Sequence, residues 1–416
     1  MPGEDLRHWL ENVDRAGELR IVKGANWNLE IGALTTVNWR KNPCRALVFD
    51  EITDYPRGYR VLTSSMSSPG RLGLALGLSP HYSKKEIIQI LRQKWPEWDS
   101  ARDKFKPEIV STGPLFENTM AGGEVDLFRF PAPMWHEEDG GRYIATGSAV
   151  ITRDPDTGSV NVGTYRAMIH DKNVVSFHIS MGKHGWLHMD KYHSRGQPCP
   201  MAISAGHHPL FMVAGSIPLP QGAEYDLAGS IWGEPVKLIN EEVTGLPVPA
   251  DSEIVLAGFC PPDRKEKEGP FGEWVGYYVS GVQERPVLEV ERAYFRNDPV
   301  ILGAPPGRSP SDASYLQFVL RSALLHNQLE QCGVPDVKGV WLNEAGGREF
   351  ITVSIKQRYA GHAKQAAVLT SQLTMGGGFM GRWIVVVDED IDPTDTNDVL
   401  WAMSTRVDPV KDIDII

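Results

Sequence analysis

Glu268-Gly269-Pro270-Phe271-Gly272-Glu273, continued by Trp274-Val275-Gly276-Tyr277-Tyr278, is the stretch around which the rest of the chain is organised. Proline lacks an amide donor and the two glycines favour unusual backbone angles, so the Gly-Pro-Phe-Gly centre reads as a rigid, non-helical bend. Such a bend can aim both carboxylates into one cavity. Repulsion and burial would then split their pKa values, so that one holds a proton while the other stays ionised. An isolated pair of glutamates at this spacing is more often a solvated loop. Phe271, Trp274, Tyr277 and Tyr278 argue for burial here.

Outward from this bend, between about residues 115 and 305, the chain is a series of short β-like runs: 143–152, 160–169, 174–179, 201–204, 253–258 and 287–294. Asp154-Pro155-Asp156-Thr157-Gly158 joins the first two as an expected hairpin turn. Many strands separated by Gly/Pro turns predict a closed, partly closed or split β-barrel. The flanks mix helix and strand. Residues 4–17, 29–38 and 84–94 read as helices, and 19–22, 45–49 and 59–62 as strands. After Asp312 the pattern is helix 313–332, strand 350–355, helix 361–373, strand 383–387 and helix 398–406. The expected fold is therefore mixed α+β: an N-terminal α/β domain (1–112), a central barrel domain (113–307) and a C-terminal α/β domain (308–416).

With 416 residues and 41% hydrophobic composition, the chain can bury a large core. The formal charge of −11 has both signs interspersed and no basic patch, which argues against nucleic acid or an anionic membrane as partner. Cys44, Cys199, Cys260 and Cys332 lie far apart, so neither a zinc site nor a disulfide framework is expected. No signal core or membrane span is seen, and a cytoplasmic location fits.

The candidate chemistry lies in the central region. In Asn161-Val162-Gly163-Thr164-Tyr165-Arg166, strand alternation would put Asn161, Gly163 and Tyr165 on one face and Thr164 and Arg166 on the other. Arg166 could grip a carboxylate with its planar fork, although a surface salt bridge would use the same residue type. His184 and Glu224 add an imidazole and a carboxylate. With the Asn161 amide they would suit a hard divalent cation better than zinc, though the trio alone is a weak signal. His170, His178, His188, His193, His207 and His208 lack metal-ligand spacing and read singly as core or surface residues.

Taken together and in this order, the 161–172 segment, Lys183-His184, Ile217-Pro-Leu-Pro with Glu224, the 268–273 bend, and the 385–393 and 399–406 segments resemble the UbiD family of reversible (de)carboxylases. The resemblance covers nearly the whole chain, and Glu268-Gly-Pro-Phe-Gly-Glu273 is its most specific part. It implies a central domain of flavin-reductase-like split-barrel type and a C-terminal domain used for dimerisation. Arg166, Glu268 and Glu273 would be the catalytic network. Asn161, His184 and Glu224 would ligate Mn²⁺ or Mg²⁺ next to the phosphate of prenylated FMN. Val162, Gly163, Thr164, Tyr165, Arg166 and Lys183 would line that cofactor, and backbone at Gly215, Ser216 and Ile217 would lie near a K⁺ ion. A flavin prenyltransferase would supply the cofactor, and a homodimer or larger homo-oligomer is expected. Family members continue beyond the point corresponding to Ile416, so the C-terminal domain reads as truncated.

The reaction implied is 1,3-dipolar: decarboxylation of an aromatic, heteroaromatic or α,β-unsaturated acid, with Arg166 orienting the carboxylate and Glu273 returning a proton. Lys183 and Trp274 either border the acid pocket or serve phosphate neutralisation and core packing. A flavin oxidoreductase on the same scaffold and a non-catalytic subunit of a carboxylase complex are the alternatives. The first is weakened by the lack of a G-x-G-x-x-G fingerprint, the second by the intact Arg166, Glu268 and Glu273.

Overall fold

The structure, a computed structural model, describes residues 5–376 and 381–415. The expected helix start at Glu4 lies outside them, as do Met1–Gly3, residues 377–380 and Ile416 of the expected terminal domains. The chain divides into two compact units: 1–80, 98–307 and 311–313 in one, and 81–97, 308–310 and 314–416 in the other.

The first unit is dominated by a ten-stranded sheet. In chain order its strands are β1 (Asn118–Ala121), β2 (Tyr143–Ala145), β3 (Ala149–Arg153), β4 (Val160–Gly163), β5 (Arg166–Asp171), β6 (Val174–His178), β7 (Cys199–Gly206), β8 (Ile254–Cys260), β9 (Lys265–Glu268) and β10 (Gln283–Phe295). They run β2-β5-β6-β10-β8-β7-β3-β4, and β1 and β9 both pair with the long β10. Every ladder is antiparallel. Alternation explains the pairing. Val175 and Phe177, or Ile203 and Ala205, bury one side of the sheet in a common core with Ile144, Leu256, Leu288 and Phe271.

Two of the expected long runs break. Residues 143–152 form β2 and β3, and residues 160–169 form β4 and β5. The expected face alternation across 161–166 therefore stops at Gly163. The reason is topological: β4 ends one edge of the strand path and β5 lies beside the other edge, yet only Thr164 and Tyr165 separate them. Three peptide steps span at most about 10–11 Å, so the sheet must curl until its two ends nearly meet. Ser148, in the parallel crossing from β2 to β3, donates its hydroxyl to the Tyr165 carbonyl at 2.8 Å and fastens the two crossings together. Among the described residues no ladder joins β2 to β4, so the sheet is curled but open rather than a closed barrel.

Helices α1 (His184–His193), α2 (Leu210–Ser216) and α3 (Glu224–Trp232) all pack on β4 at this seam. The same unit contains an N-terminal sheet of Leu19–Lys23, Ala46–Asp50, Arg60–Thr63 and Val300–Leu302. Beside it lies helix Leu6–Arg15, which buries Leu6, Trp9, Leu10 and Val13 along one face.

The second unit holds strands Val337–Leu342, Phe350–Ile355 and Trp383–Asp388, the first pair antiparallel and the second parallel. Helices His362–Gln372 and Thr396–Thr405 accompany them, and Val387, Ile391, Val399 and Ala402 form a small core. Among the described residues all four cysteines are free, and no helix is long and apolar enough to cross a membrane.

Candidate active site

The Gly269–Gly272 bend follows directly on β9. Glu268 is the last residue of that strand, paired with Gln283 of β10, and Arg166 is the first residue of β5. Because β9, β10, β6 and β5 are successive neighbours, the sheet carries these residues toward one another. Gly269 takes φ +85°, a left-handed conformation that glycine adopts without a Cβ penalty. The turn is pinned from outside: the Gly140 amide donates to the Pro270 carbonyl at 2.8 Å. A Cβ on Gly140 would lie 2.2 Å from the Gly269 oxygen, so only glycine lets the two backbones touch. Phe271 fills the space beneath, its ring centroid 3.9 Å from that of Tyr143, with the Arg166 guanidinium 5.1 Å above it.

Arg166 holds Glu268 with two hydrogen bonds, Nε to Oε1 at 2.8 Å and Nη2 to Oε2 at 3.1 Å, and reaches Glu273 Oε1 with Nη1 at 3.3 Å. Tyr143 donates its hydroxyl to Glu268 Oε1 at 2.8 Å. The two carboxylates differ in exposure: the Glu268 side chain is 2% exposed, the Glu273 side chain 31%. Burial alone would raise the Glu268 pKa, but the paired Arg166 fork and the Tyr143 hydroxyl outweigh it and keep the carboxyl below its ordinary range. Burial also works against the Arg166 cation, yet its bonds to Glu268 hold it firmly charged. The ion pair thus leaves Glu268 ionised and Glu273 in reach of water.

A second turn secures Glu273. Its amide donates to the Tyr277 carbonyl at 3.0 Å, and the Gly276 amide donates to the Glu273 carbonyl at 2.8 Å. Tyr278 donates to Asp139 Oδ1 at 3.0 Å, while Asp139 Oδ2 accepts from the His136 amide at 2.9 Å. Tyr143 and Asp139 were not legible as site residues, because each lies more than a hundred residues from its partner and no local pattern marks it. Among the histidines, His188, His207 and His208 are buried, and His170 bonds Ser176 and His193 the Cys260 carbonyl. Burial and the cations Arg166 and Arg285 push His178, which is cross-strand from Arg166, down to about 4.

The other expected residues gather at the seam. Asn161 lies on β4, His184 starts α1 and Glu224 starts α3. Tyr165, in the crossing, has its ring against Gly163 and Gly185, and its hydroxyl faces Asn161. The Gly215 backbone lies against Val162 and Thr164, so residues 162–165 and 215–217 are neighbours. The donor set fits a hard cation. Asn161 and Glu224 are buried, and Asn161 Nδ2 and Glu224 Oε2 find no hydrogen-bond partner. A half-turn of the amide would offer Oδ1 in place of Nδ2. Burial pushes the Glu224 carboxyl up to about 7, against the backbone amides of Glu224 and Val162, and a divalent ion would supply the missing positive charge. Among the described residues no group of three or more His, Cys, Asp and Glu side chains is placed to hold a metal; this set depends on an amide.

Three family models match, described as the N-terminal (residues 10–91), Rift-related (108–309) and C-terminal (314–416) domains of 3-octaprenyl-4-hydroxybenzoate carboxy-lyase. The chain is 32% identical to the pyrrole-2-carboxylic acid decarboxylase of Pseudomonas aeruginosa, over 98% of this chain and 84% of that protein. It superposes with TM-score 0.87 on the open form of Sedimentibacter hydroxybenzoicus vanillic acid decarboxylase, at 31% identity, covering 100% of this chain and 87% of that one. An evolved dimeric form of the UbiD-class enzyme HmfF from Pelotomaculum thermopropionicum, in complex with prFMN, gives TM-score 0.87 at 28% identity, covering 99% and 92%.

Proposed function

The chain belongs to the UbiD family and is a carboxy-lyase, and on that premise we propose that it removes CO₂ reversibly and without net oxidation from an aromatic, heteroaromatic or α,β-unsaturated carboxylic acid. The observation that carries this reading is the Arg166 fork on buried Glu268, with the half-exposed Glu273 on its third nitrogen. The relatives' decarboxylase names favour it over a flavin oxidoreductase or a non-catalytic subunit.

The prenylated flavin, when bound, supplies an electron sink for the electron pair left on carbon as CO₂ departs. Arg166, held rigid by Glu268, orients the substrate carboxylate beside it. Glu273 delivers a proton to the carbon that has lost CO₂ and recovers one from solvent through its exposed edge. Glu268 stays ionised throughout and keeps Arg166 aimed.

In this reading Asn161, His184 and Glu224 hold Mn²⁺ or Mg²⁺ next to the flavin phosphate. Lys183, at the N-terminal end of α1, receives that anion. Val162, Gly163, Thr164 and Tyr165 line the cofactor, and carbonyls near Gly215, Ser216 and Ile217 offer oxygen to K⁺. The curled sheet is assigned as the flavin-reductase-like split barrel of a three-part chain (1–112, 113–307, 308–416), with the last part serving a homodimer or larger assembly in the cytoplasm. A flavin prenyltransferase supplies the cofactor. Co-expression with that enzyme, followed by the mass and spectrum of the released ligand, tests the cofactor. CO₂ release from a panel of acids in D₂O, with deuterium retained at the former carboxyl carbon, tests the reaction. Stoichiometric plain FMN and no CO₂ from any acid would reject it.

A further inference from the structure

We infer that Asp154, His188 and Gln221 form a polar clasp that positions Asn161, His184 and Glu224 at the separation a divalent cation requires. The inference rests on the metal site proposed above.

The three donors sit on three different segments, and each segment has its own hold on Asp154. Asp154 and His188 are both buried. Asp154 Oδ1 accepts from the Asp156 amide at 2.9 Å and the Thr157 amide at 3.4 Å, which fixes the hairpin leading into β4 and Asn161. Oδ2 accepts from Lys191 Nζ at 2.7 Å, on the helix that begins with His184. It also accepts from Gln221 Nε2 at 3.0 Å, shortly before Glu224. A carboxylate has about four acceptor positions, and all are taken.

Gln221 spends its second N–H on His188 Nε2 at 2.7 Å. With Nε2 accepting, the neutral ring carries its proton on Nδ1 and donates to Thr152 Oγ1 on β3 at 3.0 Å. Burial keeps that ring neutral, pushing it down to about 4. His188 lies one turn beyond His184 on α1, so its two bonds fix the rotation of the helix that presents the His184 imidazole. Lys191 adds a bond to Asp156 at 3.1 Å and ties the helix to the hairpin twice. Strand, helix and loop therefore meet at one buried carboxylate, and each carries one proposed metal donor within about two turns of chain: Asn161 and Glu224 after their anchors Asp154 and Gln221, His184 before Lys191.

Partners of this kind orient ligands without touching the ion, and losing one typically costs about 10–100-fold in metal affinity. Gln221 is exposed, so its truncation opens no cavity in the core. The test is an Mn²⁺ titration of FMN-loaded protein, reading free Mn²⁺ by electron paramagnetic resonance, for wild type, Gln221→Ala, Asp154→Asn and Glu224→Gln. Gln221→Ala should bind Mn²⁺ about 10–100-fold more weakly. Its metal-free melting temperature should equal that of wild type, and excess Mn²⁺ should restore flavin retention, which loss of fold would not allow. Wild-type affinity in Gln221→Ala and Asp154→Asn, with loss only in Glu224→Gln, overturns the clasp and leaves the metal site standing. No Mn²⁺ binding by wild type, or unchanged binding by Glu224→Gln, overturns the metal site itself.

Discussion

Tyr143 and Arg166 both donate to one oxygen: Oε1 of Glu268 receives the phenol at 2.8 Å and the guanidinium Nε at 2.8 Å. The second donor matters because a buried carboxylate without enough donors takes up a proton, and a protonated Glu268 releases Arg166. Tyr143→Phe should raise the Glu268 pKa and move the acid limb of the kcat/KM profile to higher pH. The stability follows the same sign. A depressed carboxyl pKa stabilises the fold above the unfolded value and is lost as pH falls through the folded one. In the variant that loss starts at higher pH. A hydrogen bond to a charged group contributes about 1.5–3 kcal/mol, so melting curves across the acid range resolve the change. An unmoved acid limb would remove Tyr143 from the network.

Glu273 is the less buried carboxylate and the assigned proton donor. Glu273→Gln should keep its prenylated flavin, visible in the absorbance spectrum, and lose about 10²–10⁴ in turnover. Solvent-deuterium incorporation into product should fall in step. Turnover like wild type would take Glu273 out of the reaction.

Gly140 touches the bend between Glu268 and Glu273 through its backbone alone. Gly140→Ala places a methyl group 2.2 Å from the Gly269 oxygen, and neither backbone is a flexible side-chain end that can swing away. Forced overpacking costs about 1–3 kcal/mol, and here the displaced part is the turn between Glu268 and Glu273. Melting temperature and turnover should both drop. Gly281→Ala, which meets nothing within 4 Å, is the matched control and should leave both unchanged.

Tyr278 tethers the segment after Glu273 to Asp139. Tyr278→Phe keeps the ring and removes the bond, so the fold should survive while Glu273 loses its fixed position. A neutral-to-charged bond of about 1.5 kcal/mol corresponds to roughly tenfold in kcat. Chymotrypsin should cut faster after the exposed Tyr277. Equal cleavage rates and equal kcat would show the tether to be idle.

The bend at residues 268–273 was legible because its residues are consecutive and proline and glycine limit what they can do. Arg166 and the Asn161, His184 and Glu224 set came from motif order. The helices and strands of the flanks were readable from periodicity, as in Leu6, Leu10 and Val13. The broken runs were not. Val160 to Ile169 reads as one uninterrupted β-like run, and only the distant partners of β4 and β5 reveal that the chain has crossed from one sheet edge to the other. The same holds for Asp154: its turn chemistry was visible, but not that a helix and a loop converge on it.

The crossing at Thr164 and Tyr165 also sets where this chain can change length. With three peptide steps spanning a fixed gap, a deletion could not reach across, and an insertion would let β5 slip by one residue. Since a one-residue slip turns every side chain to the opposite face, Arg166 would then point away from Glu268. The exposed Gly122-Gly123 turn after β1, with nothing within 4 Å of either Cβ position, bridges no such gap and carries no comparable limit. Among related chains, insertions and deletions should collect in turns of that second kind and leave the seam at constant length.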